Sequence, residues 1–259
     1  MKEIDIKKVK DECIKWIRNW FEINGKGCNA VLGLSGGKDS TIVAKLCVEA
    51  IGKDRVIGVA MPDTLQGLNE ANKIAEYLGI KFICAPIDRI TNEYKNVFTG
   101  TEASTQTLQN IPPRVRMTML YAIAQTYNGR VIGTCNLSEN YIGYFTAWGD
   151  GVSDCEPLAN LTVTEVRALG HELGLSNEWV DKTPDDGLPH SSPDEVKFGF
   201  TYAVLDKYIR EGECDDEDIK RKILERHNKN LFKMKRLALP SYLPYFMKFD
   251  YSDQVRKHE

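Results

Sequence analysis

The stretch "NAVLGLSGGKDSTIVAKL" (residues 29–46) runs from an apolar segment through two glycines, two serines and an acid into a segment with helical spacing. "NAVLGL" (29–34) has no polar alternation, which predicts a strand covered on both faces. Ile42, Val43, Leu46, Cys47, Ala50 and Ile51 form one stripe, which predicts a helix. Between strand and helix, the glycines let the backbone approach a ligand, and the helix start offers free N–H groups and a positive dipole end. Phosphate is the natural occupant. The stretch is not a Walker A loop, because G-x-x-x-x-G-K-[ST] is absent. Asp39 beside a phosphate cradle suits Mg²⁺, which takes one or two carboxylates with phosphate oxygens and water. The plain alternative is a glycine turn with Asp39 at a helix start.

Working outward, the alternation of strand and helix repeats. "RVIGVAMP" (55–62), "KFICAPI" (81–87) and "RVIGTCNL" (130–137) are further short apolar runs. Leu68, Ala71, Ile74 and Leu78 make a second helical stripe stopped by Gly79, and Met117, Leu120, Tyr121, Ala124 and Tyr127 make a third that ends at Asn128-Gly129. This order predicts an α/β fold: a Rossmann-like, doubly wound, largely parallel sheet with helices on both faces. Residues 162–182 and 193–212 read as further helices, with "KTPDDGLPHSSP" (182–193) between them as a surface loop or lid. Ligands of such sheets bind beyond the carboxyl ends of the strands, where "SGGKDS", "MPDT" and "TCNLSE" fall. No repeat or linker interrupts the chain, so residues 1–259 read as one domain.

Net charge is −3 and the pI about 5.9, which gives no general attraction to nucleic acid. There is no signal-peptide core and no apolar run long enough for a bilayer, so the expectation is a cytoplasmic protein without membrane contact. Seven scattered cysteines without a C-x-x-C pair suggest neither disulfides nor zinc, and Cys47 and Cys84 are expected to fill small apolar sites. His171, His190, His227 and His258 lack metal-ligand spacing and read as surface or loop residues. "ECDDED" (213–218) reads as a solvated helix start.

"SGGKDS" resembles the pyrophosphate-binding S-G-G-x-D-S loop of the ATP pyrophosphatase superfamily, whose members cleave ATP to AMP and pyrophosphate while activating a carbonyl or carboxylate oxygen. "NIPPRVRMTMLYAIAQ" (110–125), "GTCNLSENYIGYFTAWGDGVSDCEPLANLTVTEVRALGHELGL" (133–175) and "DEVKFGFTYAVLDKYI" (194–209) resemble, in this order and spacing, the ammonia-dependent NAD synthetases. The resemblance runs from about residue 10 to about residue 236. It implies a homodimer that uses ATP, Mg²⁺ and ammonia to convert deamido-NAD to NAD, AMP and pyrophosphate through an acyl adenylate, with no glutaminase domain. It also implies that Gly33, Leu34, Ser35, Gly36, Gly37, Lys38, Asp39 and Ser40 meet the ATP phosphates, with Thr134 near ATP. Asp39 and Glu139 would hold the metal, and Arg114, Asp154 and Lys235 would meet deamido-NAD. Asp150 would hold ammonium and help it lose a proton, because only the free amine is nucleophilic.

Plainer readings compete with several of these. Glu139 could be a first-turn helix acid, Arg114 and Arg116 a solvated pair, and Asp150 part of a glycine turn. Tyr141, Tyr144, Phe145 and Trp148 could be core or a stacking surface for the nicotinate ring. The chain also departs from the family: Ala147 and Val163 stand where lysines are usual, Asp185 replaces a hydroxyl residue and Met234 a histidine. Lys38, Lys182 or Lys235 could restore the lost charge, or the acceptor could differ. A tRNA-modifying ATP pyrophosphatase and a non-catalytic nucleotide-binding module are the rival classes.

Overall fold

After its first residue, strand β1 (Asn29–Gly33) is apolar because helices cover both of its faces. The computed structural model describes residues 4–63, 68–100, 102–182, 194–236 and 241–247. Helix α1 (Ile6–Asn24) precedes β1, and α2 (Lys38–Ile51), β2 (Val56–Ala60), α3 (Leu68–Leu78) and β3 (Lys81–Cys84) follow it. Helices α4 (Asp88–Asn96), α5 (Thr105–Gln109) and α6 (Ile111–Thr126) then lead to β4 (Gly129–Val131). Beyond it come α7 (Leu137–Ile142), α8 (Val163–Glu172), α9 (Asn177–Val180), α10 (Asp194–Phe198), α11 (Tyr202–Glu211) and α12 (Glu217–Arg236).

All strand pairs are parallel, in the order β3-β2-β1-β4, and Val31 lies opposite both Ile57 and Val131. Ala30 and Leu32 pack with Val9, Cys13, Ile17 and Phe21 of α1 and with buried residues of α2, α3 and α8. Val31 and Val59 pack on the other face against Ile87, Ile111, Val115 and Ala124. The chain therefore steps from β1 to β3 along one face and returns to β4 along the other. The helix that follows β1 and the helix that leads into β4 lie on opposite faces, and the loops after these two neighbouring strands share one rim of the sheet, where ligands of such folds bind.

The doubly wound expectation holds, with local corrections. In the run 130–137 only the residues up to Val131 are strand, and Ile132 makes a single bridge to Cys155 before the chain turns into its loop. Residues 162–182 are two helices, α8 and α9, parted at Gly174 (φ +72°), and Gly199 (φ +75°) parts α10 from α11. A left-handed residue ends a helix, and glycine adopts that conformation without a Cβ penalty. Cys84 is exposed, not core, because β3 is the edge of the sheet, whereas Cys47 is buried as expected. Helix α1 escaped the sequence reading because charges surround its narrow stripe, yet Val9, Cys13, Ile17 and Phe21 are all buried. Residues 183–193 of the expected loop lie outside the described residues.

The start of α8 is clamped. Ser138 Oγ donates to Asp206 at 2.5 Å and accepts the Val163 N–H at 3.0 Å, while the other Asp206 oxygen accepts Thr164 N–H at 2.8 Å. Arg210 grips buried Glu165 through two bonds of 2.7 and 2.5 Å and donates to the Asn160 carbonyl at 2.8 Å. Arg210→Met strands a buried carboxylate, so a loss of about 3–5 kcal/mol is expected in urea unfolding. A loss under about 1 kcal/mol, the range of surface pairs, would reduce this clamp to an ordinary contact.

Candidate active site

The loop after β1 is shaped by its own short side chains. Gly36 sits at φ +81°, in the left-handed region. Ser35 Oγ accepts the Gly37 N–H at 3.2 Å, and Ser40 and Thr41 hydroxyls donate to the Gly37 carbonyl at 3.1 and 2.8 Å. Gly37 caps the 14-residue helix α2 without any side-chain cap bond. The first N–H groups of α2 and its positive dipole end are thus left for an anion. Gly36→Ala is expected to cost about 1–2 kcal/mol of stability from the Cβ alone, with weaker ATP binding in calorimetry. Wild-type values for both would remove the need for glycine here.

Two carboxylates meet at the crevice. Asp39 is in the first turn of α2, and Glu139 is in the first turn of α7, after β4. Asn136 ties them together: its Oδ1 accepts Glu139 N–H at 3.1 Å, while its Nδ2 donates to Asp39 at 3.3 Å. Glu139 returns the capping bond to Asn136 N–H at 3.2 Å, so its first-turn role and its place beside Asp39 coexist. Burial first, and the Asp39 charge second, push the Glu139 carboxyl up to about 8. Burial opposes the Lys38 charge, but Asp39 and Glu139 more than offset it and raise its pKa. Lys38 Nζ donates to Asp39 at 2.7 Å.

The donor set fits Mg²⁺. Among the described residues no three His, Cys, Asp or Glu side chains gather as a closed metal cage. A pair of carboxylates beside a phosphate loop instead suits an ion that completes its shell with water and phosphate oxygens.

The rest of the crevice comes from distant elements. Arg114 and Arg116 part company: Arg114 Nε donates to the Ala147 carbonyl at 3.3 Å near the surface, while Arg116 turns inward to the Met61 carbonyl at 3.1 Å. Asp150 accepts the Thr146 N–H at 3.0 Å. It opens to solvent on one side while protein encloses its carboxylate on the others. That desolvation raises its pKa, with the Thr146 N–H and the Lys233 charge opposing. Lys233 Nζ donates to the Gly143 and Phe145 carbonyls at 2.8 and 3.0 Å.

Among the aromatic residues, Tyr141 stacks on His227 with ring centroids 4.2 Å apart, Tyr144 donates to Asp194 at 2.9 Å, and Lys233 lies over Phe145 at 5.2 Å. Trp148 differs: it is 52% exposed, with a left-handed φ of +62° unusual for a bulky residue.

Other expected site residues have varied surroundings. Thr134 is half-buried in the loop after β4. Asp154 is a brace, its oxygens accepting the Val131 N–H at 2.7 Å and the Tyr121 hydroxyl at 3.3 Å. Lys182 does reach the phosphate loop, donating to the Gly36 carbonyl at 3.3 Å. The Lys235 side chain, Asp185, His190 and His258 lie outside the described residues. Of the residues the sequence reading passed over, Asn136 carried a signal in the N-x-x-E capping pattern of "NLSE". Lys233 carried none, since its role depends on packing, and Arg116, read as half of a solvated pair, instead turns inward.

A parallel α/β sheet with an S-G-G-x-D-S phosphate loop at its crevice, faced by a second carboxylate, defines a protein of the ATP pyrophosphatase class. Residues 9–238 match the family model for NAD synthase, and the chain belongs to that family. The NH3-dependent NAD+ synthetase of Methanococcoides burtonii is 39% identical over 212 residues, 80% of each chain. The solved NMN synthetase of Francisella tularensis is similar at TM-score 0.82 and 30% identity, covering 95% of this chain and 100% of that one. The NH3-dependent NAD synthetase of Campylobacter jejuni follows at TM-score 0.73 and 28% identity, covering 93% and 100%.

Proposed function

We propose that this protein is a ligase that amidates deamido-NAD with ammonia, consuming ATP and releasing NAD, AMP and pyrophosphate. The observation that carries the proposal is the Asn136-linked pair Asp39 and Glu139 beside the phosphate loop, in a chain matching NAD synthase over residues 9–238. In the first step a nicotinate carboxylate oxygen attacks the α-phosphorus, and the bond to the bridging oxygen of pyrophosphate breaks. The loop N–H groups and the α2 dipole stabilise the charge that grows on the departing pyrophosphate. Mg²⁺ held by Asp39 and Glu139 would neutralise further charge there. Asp150 takes a proton from bound ammonium, the ammonia so formed attacks the acyl carbon, the bond to the AMP oxygen breaks, and the further proton lost from nitrogen leaves to water. Arg114 would orient the acceptor beside exposed Trp148, whose ring suits stacking on nicotinate. No covalent bond to the protein is needed, so the chain contributes mainly positioning, worth up to roughly 7–11 kcal/mol in well-oriented reactions.

The test is NAD formation from ATP, Mg²⁺, deamido-NAD and ammonium, compared with glutamine as nitrogen source. NAD from ammonium alone supports a synthetase domain that works without a glutaminase. Absence of NAD with ATP still bound would leave an altered acceptor or a binding module.

One observation favours a second acceptor: the F. tularensis NMN synthetase covers 95% of this chain at TM-score 0.82, above the 0.73 of the NAD synthetase from C. jejuni. A mononucleotide acceptor would present the same nicotinate carboxylate and lack only the adenylate half. The ratio of kcat/KM for the acid forms of NMN and NAD decides between them, with a ratio above one selecting the mononucleotide. The family resemblance also supports a cytoplasmic homodimer, and sedimentation as a monomer at working concentration would overturn the dimer.

A further inference from the structure

We propose that Arg167 is an additional phosphate-binding residue of this site, donating from its guanidinium to the outer phosphates of ATP and to the pyrophosphate formed from them. The inference rests on the ATP reading of the loop.

It starts from the contact between α8 and α2. These helices come so close at Gly170 that a Cβ there would lie 2.9 Å from Ile42 Cδ1. Arg167 stands about one turn before Gly170 on α8, and Lys38 stands one turn before Ile42 on α2. With α8 packed on α2 at Gly170, the Arg167 charge is felt at Lys38, which puts Arg167 near the first turn of α2, where the phosphate loop ends. Its positive charge is close enough to oppose that of Lys38.

Arg167 Nε is buried without a hydrogen-bond partner, alone in this among side-chain nitrogens and oxygens of the described residues. A buried donor left unpaired carries its full desolvation penalty, and such an orphan calls for a missing partner. Beside an anion loop the missing partner is an acceptor, and phosphate matches the guanidinium fork.

The neighbouring cations are otherwise engaged. Lys38 donates to Asp39, and Lys182 donates to the Gly36 carbonyl. Position 163, one turn earlier on α8, holds a buried valine in the cluster with Leu137 and Phe198. The clamp of Ser138, Asp206 and Arg210 fixes the α8 backbone from which Arg167 projects.

The test uses the full chain and two probes, inorganic pyrophosphate and ATP with Mg²⁺, in calorimetry on wild type, Arg167→Met and Arg167→Lys. Loss of the guanidinium is expected to raise both Kd values roughly 10- to 100-fold, with Arg167→Lys in between. KM for the acceptor should not change, and the ligand-free melting temperature should hold or rise because the orphaned donor is gone. Unchanged affinity in Arg167→Met overturns the proposal while leaving the ATP reading intact. Failure of wild type itself to bind ATP overturns both. A melting temperature that falls in both variants while the affinity of Arg167→Lys stays at the wild-type value assigns Arg167 a structural role instead and overturns the proposal.

Discussion

Asp39→Asn is expected to lower Mg²⁺-dependent turnover by about 10²- to 10³-fold, the scale seen when one preorganised group facing transition-state charge is removed. The amide keeps the shape of the side chain and an oxygen to accept the Asn136 Nδ2 bond, so the link between the two loops survives. It removes the charge that partners Lys38 and half of the carboxylate pair. Fold and turnover should therefore separate.

Stability of the metal-free protein should show the same pair from the other side. Glu139 is held protonated by burial and by Asp39, with its folded pKa raised to about 8. A carboxyl raised in the fold contributes stability that is complete below its unfolded pKa and is lost as pH rises through the folded value. Urea unfolding of wild type should weaken between about pH 4.5 and pH 8 from this group, and Asp39→Asn should weaken less. Turnover of Asp39→Asn within about fivefold of wild type at saturating Mg²⁺ would sink the metal role, since the expected loss is at least about 10²-fold.

Asp150→Asn is the second large effect, expected to lower kcat with ammonium by about 10²- to 10⁴-fold, the usual contribution of a positioned acid–base group. Asparagine retains an oxygen for the Thr146 N–H, so the turn at residues 146–150 should persist. Burial raises the Asp150 pKa, and the ionised form is the one that takes the proton, so wild-type kcat should fall as pH drops through a value above the ordinary carboxylate range. The variant should lack this acid limb. Its rate should climb towards wild type at alkaline pH, where free ammonia is abundant and needs no base. An intact acid limb in the variant, or a change in acceptor KM alone, would remove Asp150 from proton transfer.

The phosphate loop was legible because its geometry is local: a left-handed Gly36, short hydroxyl side chains and an uncapped helix start depend only on residues within a few positions. Glu139 was legible for the same reason, through the capping pattern it shares with Asn136. Arg114 and Arg116 read as equivalent in sequence, yet one lies at the surface and the other reaches the Met61 carbonyl, a difference set by which side of α6 faces the sheet.

The sequence by itself determined the strand and helix order from β1 to β3, the parallel sheet and the loop that ends at Asp39, because apolar periodicity and glycine freedom act over short spans. Tertiary structure alone decided where the cations from later helices come to lie. Lys182 reaches Gly36 across 146 residues, Lys233 reaches Phe145 across 88, and Arg167 comes to α2 through the close approach at Gly170. The reason is physical: a long side chain finds its partner only after separate helices have packed, and no local pattern records that distance.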